Sequence, residues 1–212
     1  MSVIHCPRWA LALMAAAGPL AGQDGMPPVT GPAPGVRSQF EIGAGRTIPT
    51  GDFKGDTSGD GFDGGWTATA RVTLSRPQSA LGLRIDGAYS ANSANTQLKN
   101  HLTTALGTPS DETITLIGLN AALTHAFPPR ARVTPLLFGG IGAYLVTIGV
   151  TSGGTTARSS TTRLAWHVGG ELTYRAVFLE VRYSAVAAVT GLHKTTFFPI
   201  TVGVRFGRGS AH

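Results

Sequence analysis

Charge is what this sequence has least of. Only 13% of its 212 residues are Asp, Glu, Lys or Arg, roughly half the share of an ordinary soluble domain, while 42% are hydrophobic. A chain so poor in charge must bury its apolar surface in a very large core or in lipid. Cysteine is nearly missing. The lone Cys6 lies in a segment expected to be removed, so the mature chain has no disulfide, thiol chemistry or thiolate metal site. No apolar run of about 18 residues occurs beyond the N-terminus, which excludes helical membrane spans. A Walker loop, a Rossmann glycine fingerprint and a metal quartet are also absent, and no cofactor is expected. The net charge is +6. Its arginines are scattered rather than gathered on one helix or interleaved with exposed aromatics, which argues against nucleic acid as a partner.

What is present begins with an export signal over 1–22. Arg8 gives a short basic region, "ALALMAAAGPL" an apolar stretch of signal length, and "LAG" or "PLA" small residues for cleavage. Residues 23–37, with "MPPVTGPAPG", read as a flexible Pro/Gly-rich tail. Residues 38–206 form one domain, and 207–212 a short C-terminal tail.

Within that domain eight segments alternate apolar and polar residues, and no helix is expected. They cover 38–48, 65–75, 81–90, 112–125, 133–148, 161–174, 177–189 and 196–206. The clearest is "GWTATARVTLS", in which Trp66, Ala68, Ala70, Val72 and Leu74 alternate with Thr67, Thr69, Arg71, Thr73 and Ser75. A period of two is the signature of a strand with unlike faces. Connections alternate long (49–64, 91–111, 149–160) and short (76–80, 127–132, 175–176), with the last, 190–195, of middling length. Sorting of this kind places the long loops at one end of an up-and-down sheet. The predicted fold class is all-β: an eight-stranded antiparallel transmembrane β-barrel with short periplasmic turns and longer extracellular loops.

Strand charges assign the faces. Glu41, Arg71, Arg84, Asp86, Glu171, Glu180, Arg182 and Arg205 all sit opposite the apolar stripe, and His167 shares the inward parity of Glu171. A lipid-facing Arg at mid-bilayer costs roughly 2–4 kcal/mol, so these residues are expected to form a polar network inside the barrel, with Thr, Ser and Gly filling the remaining volume. Arg71 is expected to pair with Glu41 or Asp86. A soluble lipocalin-type barrel would carry Lys on its outer face, whereas Lys54, Lys99 and Lys194 all fall in predicted loops. Aromatic belts are expected from Phe40, Phe127, Tyr174 and Phe206 on the turn side, and from Trp66, Tyr89 and Tyr183 on the loop side. Arg46 has outward parity near a loop end, where it can snorkel. In the fifth strand Gly140, Gly142 and Tyr144 are expected to face in. Pro135 and Pro199 are placed near strand ends.

These features resemble the small eight-stranded outer-membrane barrels, a group that includes the transmembrane domain of outer-membrane protein A and the attachment/invasion and opacity proteins. The terminal "ITVGVRF" is similar to the aromatic-ended signal of that group, although six residues follow Phe206. The resemblance implies localisation in the outer membrane. Its implied partners are outer-membrane lipid and lipopolysaccharide, the insertion machinery, and an unidentified ligand at the long loops. No second, peptidoglycan-binding domain is expected.

Two chemical sites are weighed. In "GDFKGDTSGDGFDGG", Asp56, Ser58 and Asp60 occupy the first positions of a calcium-loop pattern, with Asp52 and Asp63 nearby. The required Glu is replaced by Thr67, so the stretch reads as either an acidic surface loop or a weak divalent-ion site. Some barrels of this size are lipid hydrolases built on a Ser/His pair, but His125, His167 and His193 are not followed by the matching Ser. The leading function is therefore non-enzymatic: a membrane-embedded scaffold presenting loops for envelope integrity or surface interaction. A lipid hydrolase and a narrow solute pore are the alternatives.

Overall fold

A computed structural model of the chain describes residues 35–56, 58–188 and 195–207. The expected signal segment with Cys6, most of the N-terminal tail, the 189–194 connection with His193 and Lys194, and residues 208–212 lie outside the described residues.

Eight strands form one closed sheet in chain order: β1 (Arg37–Thr50), β2 (Gly65–Ser75), β3 (Leu81–Ser93), β4 (Ser110–Ala126), β5 (Val133–Ser152), β6 (Thr155–Tyr174), β7 (Val177–Val186) and β8 (Thr195–Phe206). All pairs are antiparallel. Closure is made by β1 against β8, from Phe40 opposite Phe206 to Thr50 opposite Thr196. No strand edge is then left open along the barrel wall, as a lipid environment demands of backbone polar groups.

Alternation in the sequence becomes alternation between lumen and exterior. In β2, Thr67, Thr69, Arg71 and Thr73 are buried, while Trp66 and Val72 are exposed. The outer wall is apolar along its mid-height, with Leu119, Leu123, Ile141 and Leu164 between 66% and 76% exposed. Water would not leave such a wall bare on a single soluble chain. It is the inverse of a soluble barrel. Arg46 is exposed and stands beside Trp66 in the β1–β2 register. In β5, Leu136, Phe138 and Tyr144 are buried, and Gly140 and Gly142 share their inward parity.

Four sequence expectations need correction. An α-helix, α1 (Thr96–Leu106), occupies the connection between β3 and β4. Its ends are well made: the Asn95 side chain accepts from Leu98 N, and Gly107 closes it at φ 70°. None of its residues is fully buried, so the apolar periodicity that would reveal it is weak. Residues 149–160 are not a long loop. β5 and β6 run on past the barrel rim and join at Gly153–Gly154, both left-handed, with φ 55° and 81°. Pro199 lies well inside β8, and the β7–β8 ladder skips the pairs beside it, opposite Arg182 and Tyr183. Finally β7 ends at Val186, short of the expected 189.

Candidate functional site

The lumen is built in layers, each set by which residues the inward parity delivers at that height. Arginines and carboxylates meet in the turn-side half. Glu180 of β7 accepts from Arg71 and from Arg84 Nη1 (2.9 Å) through Oε2, and from Arg182 Nε (3.1 Å) through Oε1. Arg182 also forks onto Asp86, with contacts of 2.9 and 3.1 Å. Glu171 of β6 receives Arg84 Nη2 at 2.6 Å, Arg205 Nη2 at 2.7 Å and the Thr173 hydroxyl at 3.0 Å. Glu41 of β1 pairs with Arg71 and Arg205. Four acids and four arginines, drawn from every strand except β4 and β5, are thus joined in one network. It is further linked to β4, where Asn120 donates to Asp86 at 2.7 Å.

Arg71 faces Asp86 in the β2–β3 register. Yet its partners are Glu41, Glu171 and Glu180, two of which reach it across the lumen. Aromatic rings wall the network. Arg71 lies 4.1 Å over Phe178, and Arg84 lies 4.4 Å over Phe138. Phe178 can lie there because its ring rests on the Gly43/Gly203 pair. A Cβ on Gly203 would come 2.5 Å from Phe178 Cζ and 2.1 Å from the Ile42 carbonyl oxygen.

Toward the loop end come His167 and Ser184, directly opposite each other in the β6–β7 register and both buried. Neither His167 ring nitrogen has a hydrogen-bonding partner among the described residues, while the Ser184 hydroxyl lies beside that of Tyr144. Neither group is open to lipid. No reading along one strand could find this pair, because its members belong to different strands.

Above them the polar lumen gives way to an apolar plug, a correction to the expectation of a lumen polar throughout. Ile114, Leu116, Tyr144, Val146, Ala165, Val186 and Phe197 line the barrel here. Phe53 and Phe62 drop in from the β1–β2 connection. Phe53 sits 5.2 Å from Phe62 and 6.3 Å from Phe197, ring to ring. The connections above are folded onto one another. The Asn95 amide donates to Gly59 O (2.8 Å), Asn92 to Asp63 O (2.9 Å), and Phe62 forms a bridge with Ala94.

Two acidic side chains of the loop, Asp56 and Asp60, are engaged within this cap. Asp56 accepts from Gly51 N (3.1 Å) and pairs with Lys54, Asp60 contacts His101 Nδ1 at 2.7 Å, and Ser58 donates to Asp60 O. The structure does not bring Asp56 and Asp60 onto one point. Among the described residues no group of three or more His, Cys, Asp or Glu is placed to hold a metal ion.

Outside, the belts lie as two bands. Phe40 contacts Phe206 (6.2 Å) and Phe127 contacts His125 (4.8 Å) on the turn side, where Tyr174 is also exposed. Trp66–Tyr89 (4.7 Å) and the run Trp166–Tyr183–Phe198 (5.3 and 5.0 Å) mark the loop side. Trp166 and Phe198 extend the belt beyond the expected residues.

A closed antiparallel barrel of eight strands, apolar outside, girdled by aromatics and charged within, is a small β-barrel of the outer-membrane type. Known structures agree. The chain is similar in fold to Ail, the attachment invasion locus protein of Yersinia pestis, at 16% identity and TM-score 0.51 over 81% of this chain and 99% of that one. Neisserial surface protein A matches at 18% and 0.51 over 82% and 99%. A major outer membrane protein from Thermus thermophilus matches at 11% and 0.59, again over 82% and 99%. At these identities it is the fold that is shared. No protein-family model and no curated protein matches the chain.

Proposed function

We propose that this protein is a non-enzymatic outer-membrane scaffold, whose barrel anchors a folded platform of loops for surface contact or envelope integrity. One observation carries the reading: the lumen is filled from the ion network to the plug of Phe53, Phe62 and Phe197. A filled barrel has nothing to conduct, and what it offers its surroundings is its end. The connections there form a cap with α1, flanked by the β4–β5–β6 sheet that rises past the rim. Ail and the Neisserial protein, named for attachment and for the surface, are in keeping with such a role. On the same reading the wall meets outer-membrane lipid and lipopolysaccharide, the insertion machinery receives the aromatic-ended β8, and an external ligand meets the cap.

The test is electrical. Purified, refolded protein in planar bilayers is expected to give no discrete conductance steps, and reproducible openings would replace the scaffold with a pore. Incubation with outer-membrane lipid should release no fatty acid. Release that is lost on His167→Ala would make the protein a hydrolase instead.

A further inference from the structure

Charge outside the lumen is divided unequally between the two ends. Six carboxylates stand at the loop end, Asp52, Asp56, Asp60, Asp63, Asp111 and Glu112, where the bases Arg46, Lys54, Lys99 and Arg158 largely offset them. At the turn end, among the described residues, there is no carboxylate. Five arginines stand there instead: Arg37 at the start of β1, Arg76 after β2, Arg130 and Arg132 between β4 and β5, and Arg175 between β6 and β7. All but the half-buried Arg37 are exposed, and none forms a salt bridge with a described residue.

Backbone conformation gives a second, independent observation. Every described non-glycine residue with positive φ lies in these turns: Gln78 (64°), Ala131 (49°), Arg132 (69°) and Arg175 (56°). Between Arg130 and Val133, which exchange two hydrogen bonds of 2.9 Å, the two-residue turn is Ala131–Arg132. Such turns favour Asn-Gly, because a side chain in the left-handed region is strained. At the loop end the same chain does use Gly153–Gly154. Twenty-nine glycines show that glycine is freely available to this sequence. Strain accepted at Arg132 and Arg175 implies a use for their side chains beyond the turn.

We propose that these arginines form a collar that binds the phosphate groups of anionic phospholipids in the leaflet around the turn end. The inference rests on the membrane reading above. Position selects lipid over a soluble acidic partner. The arginines stand just beyond the turn-side belt of Phe40, Phe127, Tyr174 and Phe206, at head-group height, and Arg175 itself lies 5.4 Å over the Tyr174 ring. Guanidinium groups hold phosphate oxygens bidentately, and clustered cations at a membrane surface attract anionic lipid additively.

The experiment measures lipid selectivity on the full chain, refolded in phosphatidylcholine bilayers with a trace of spin-labelled phosphatidylglycerol or spin-labelled phosphatidylcholine. The motionally restricted lipid component is expected to favour phosphatidylglycerol by at least about fivefold, the effect of one interfacial arginine, and to lose that preference in about 1 M NaCl through screening. The triple variant Arg76→Gln, Arg132→Gly, Arg175→Gly should lower that preference several-fold, with Arg37 and Arg130 left in place to hold the remainder. Its two glycines relieve strained positions, so it should refold and show the same heat-modifiable mobility as the parent. Equal restriction of both labels by the parent, or unchanged selectivity in the triple variant, overturns the collar. Capture of soluble polyglutamate without lipid selectivity would transfer the surface to an acidic polymer and also overturn it. A complete absence of restricted lipid would refute the membrane reading itself, which separates the two failures.

Discussion

Glu180→Gln is the sharpest probe of the buried network, since it removes one charge and almost no volume. Glu180 is the hub: it is contacted by Arg71, by Arg84 at 2.9 Å and by Arg182 at 3.1 Å. Its removal leaves four arginines facing three carboxylates in a layer closed to water. Arg84 and Arg71 keep Glu171, and Arg182 keeps Asp86, so none of the three is wholly abandoned. The loss is therefore that of breaking one buried pair, about 3–5 kcal/mol, rather than three times that figure. Urea unfolding of the refolded protein in detergent, followed by tryptophan fluorescence, measures it. The double variant Glu180→Gln, Arg84→Met restores neutrality, and it should recover a large part of the loss despite deleting a second charge. If Glu180→Gln costs under about 1 kcal/mol, or if the double variant loses the sum of both single changes, the network is not a coupled charge-balanced unit and the reasoning fails.

Two further expectations also use urea unfolding, the first in detergent and the second in lipid bilayers. Gly203→Ala should destabilise by about 1–3 kcal/mol through overpacking, since its methyl would meet both the Phe178 ring and the β1 backbone. Neighbouring Thr201→Ala, also inward on β8, should cost far less, and equal losses would remove the close approach as the cause. Ile85→Arg, midway along β3 between Leu81 and the belt residue Tyr89, should cost about 2–4 kcal/mol in a bilayer, and a neutral result would mean that this wall is not in lipid.

How much of this was legible follows from which physical constraint wrote each residue. A wall in lipid must be apolar at every second position, so the eight strands and their inward charges could be read by parity alone. Parity gives the face and not the partner. Arg71 and Asp86 are register neighbours, yet Arg71 bonds to Glu180 because closing the barrel brings the inner faces of β2 and β7 together. The features that escaped lie where no lipid imposes a pattern. The upper β5–β6 hairpin is mostly exposed, so its Thr, Ser and Gly residues look like loop. For α1, the only strong local signals are its caps, Asn95 and Gly107.

The plug was the least legible feature, and it bears most on function. Phe53 and Phe62 lie in a stretch dominated by Gly and Asp, where acidic residues invite a metal reading and two aromatics look incidental. Phe197 sits beside Phe198, and the outward member of that pair conceals the inward one. Only closure of the barrel brings Phe53, Phe62 and Phe197 together. Phe53 is accordingly the residue on which the filled-lumen argument turns. It is the ring between the other two and is almost fully buried. Phe53→Ala should cost about 3–5 kcal/mol if the cap is a packed core. Its loss should also expose the β1–β2 connection to proteolysis while the barrel keeps its heat-modifiable mobility. If cap and barrel instead unfold together at an unchanged urea midpoint, the plug contributes nothing to closure, and the pore reading regains its footing.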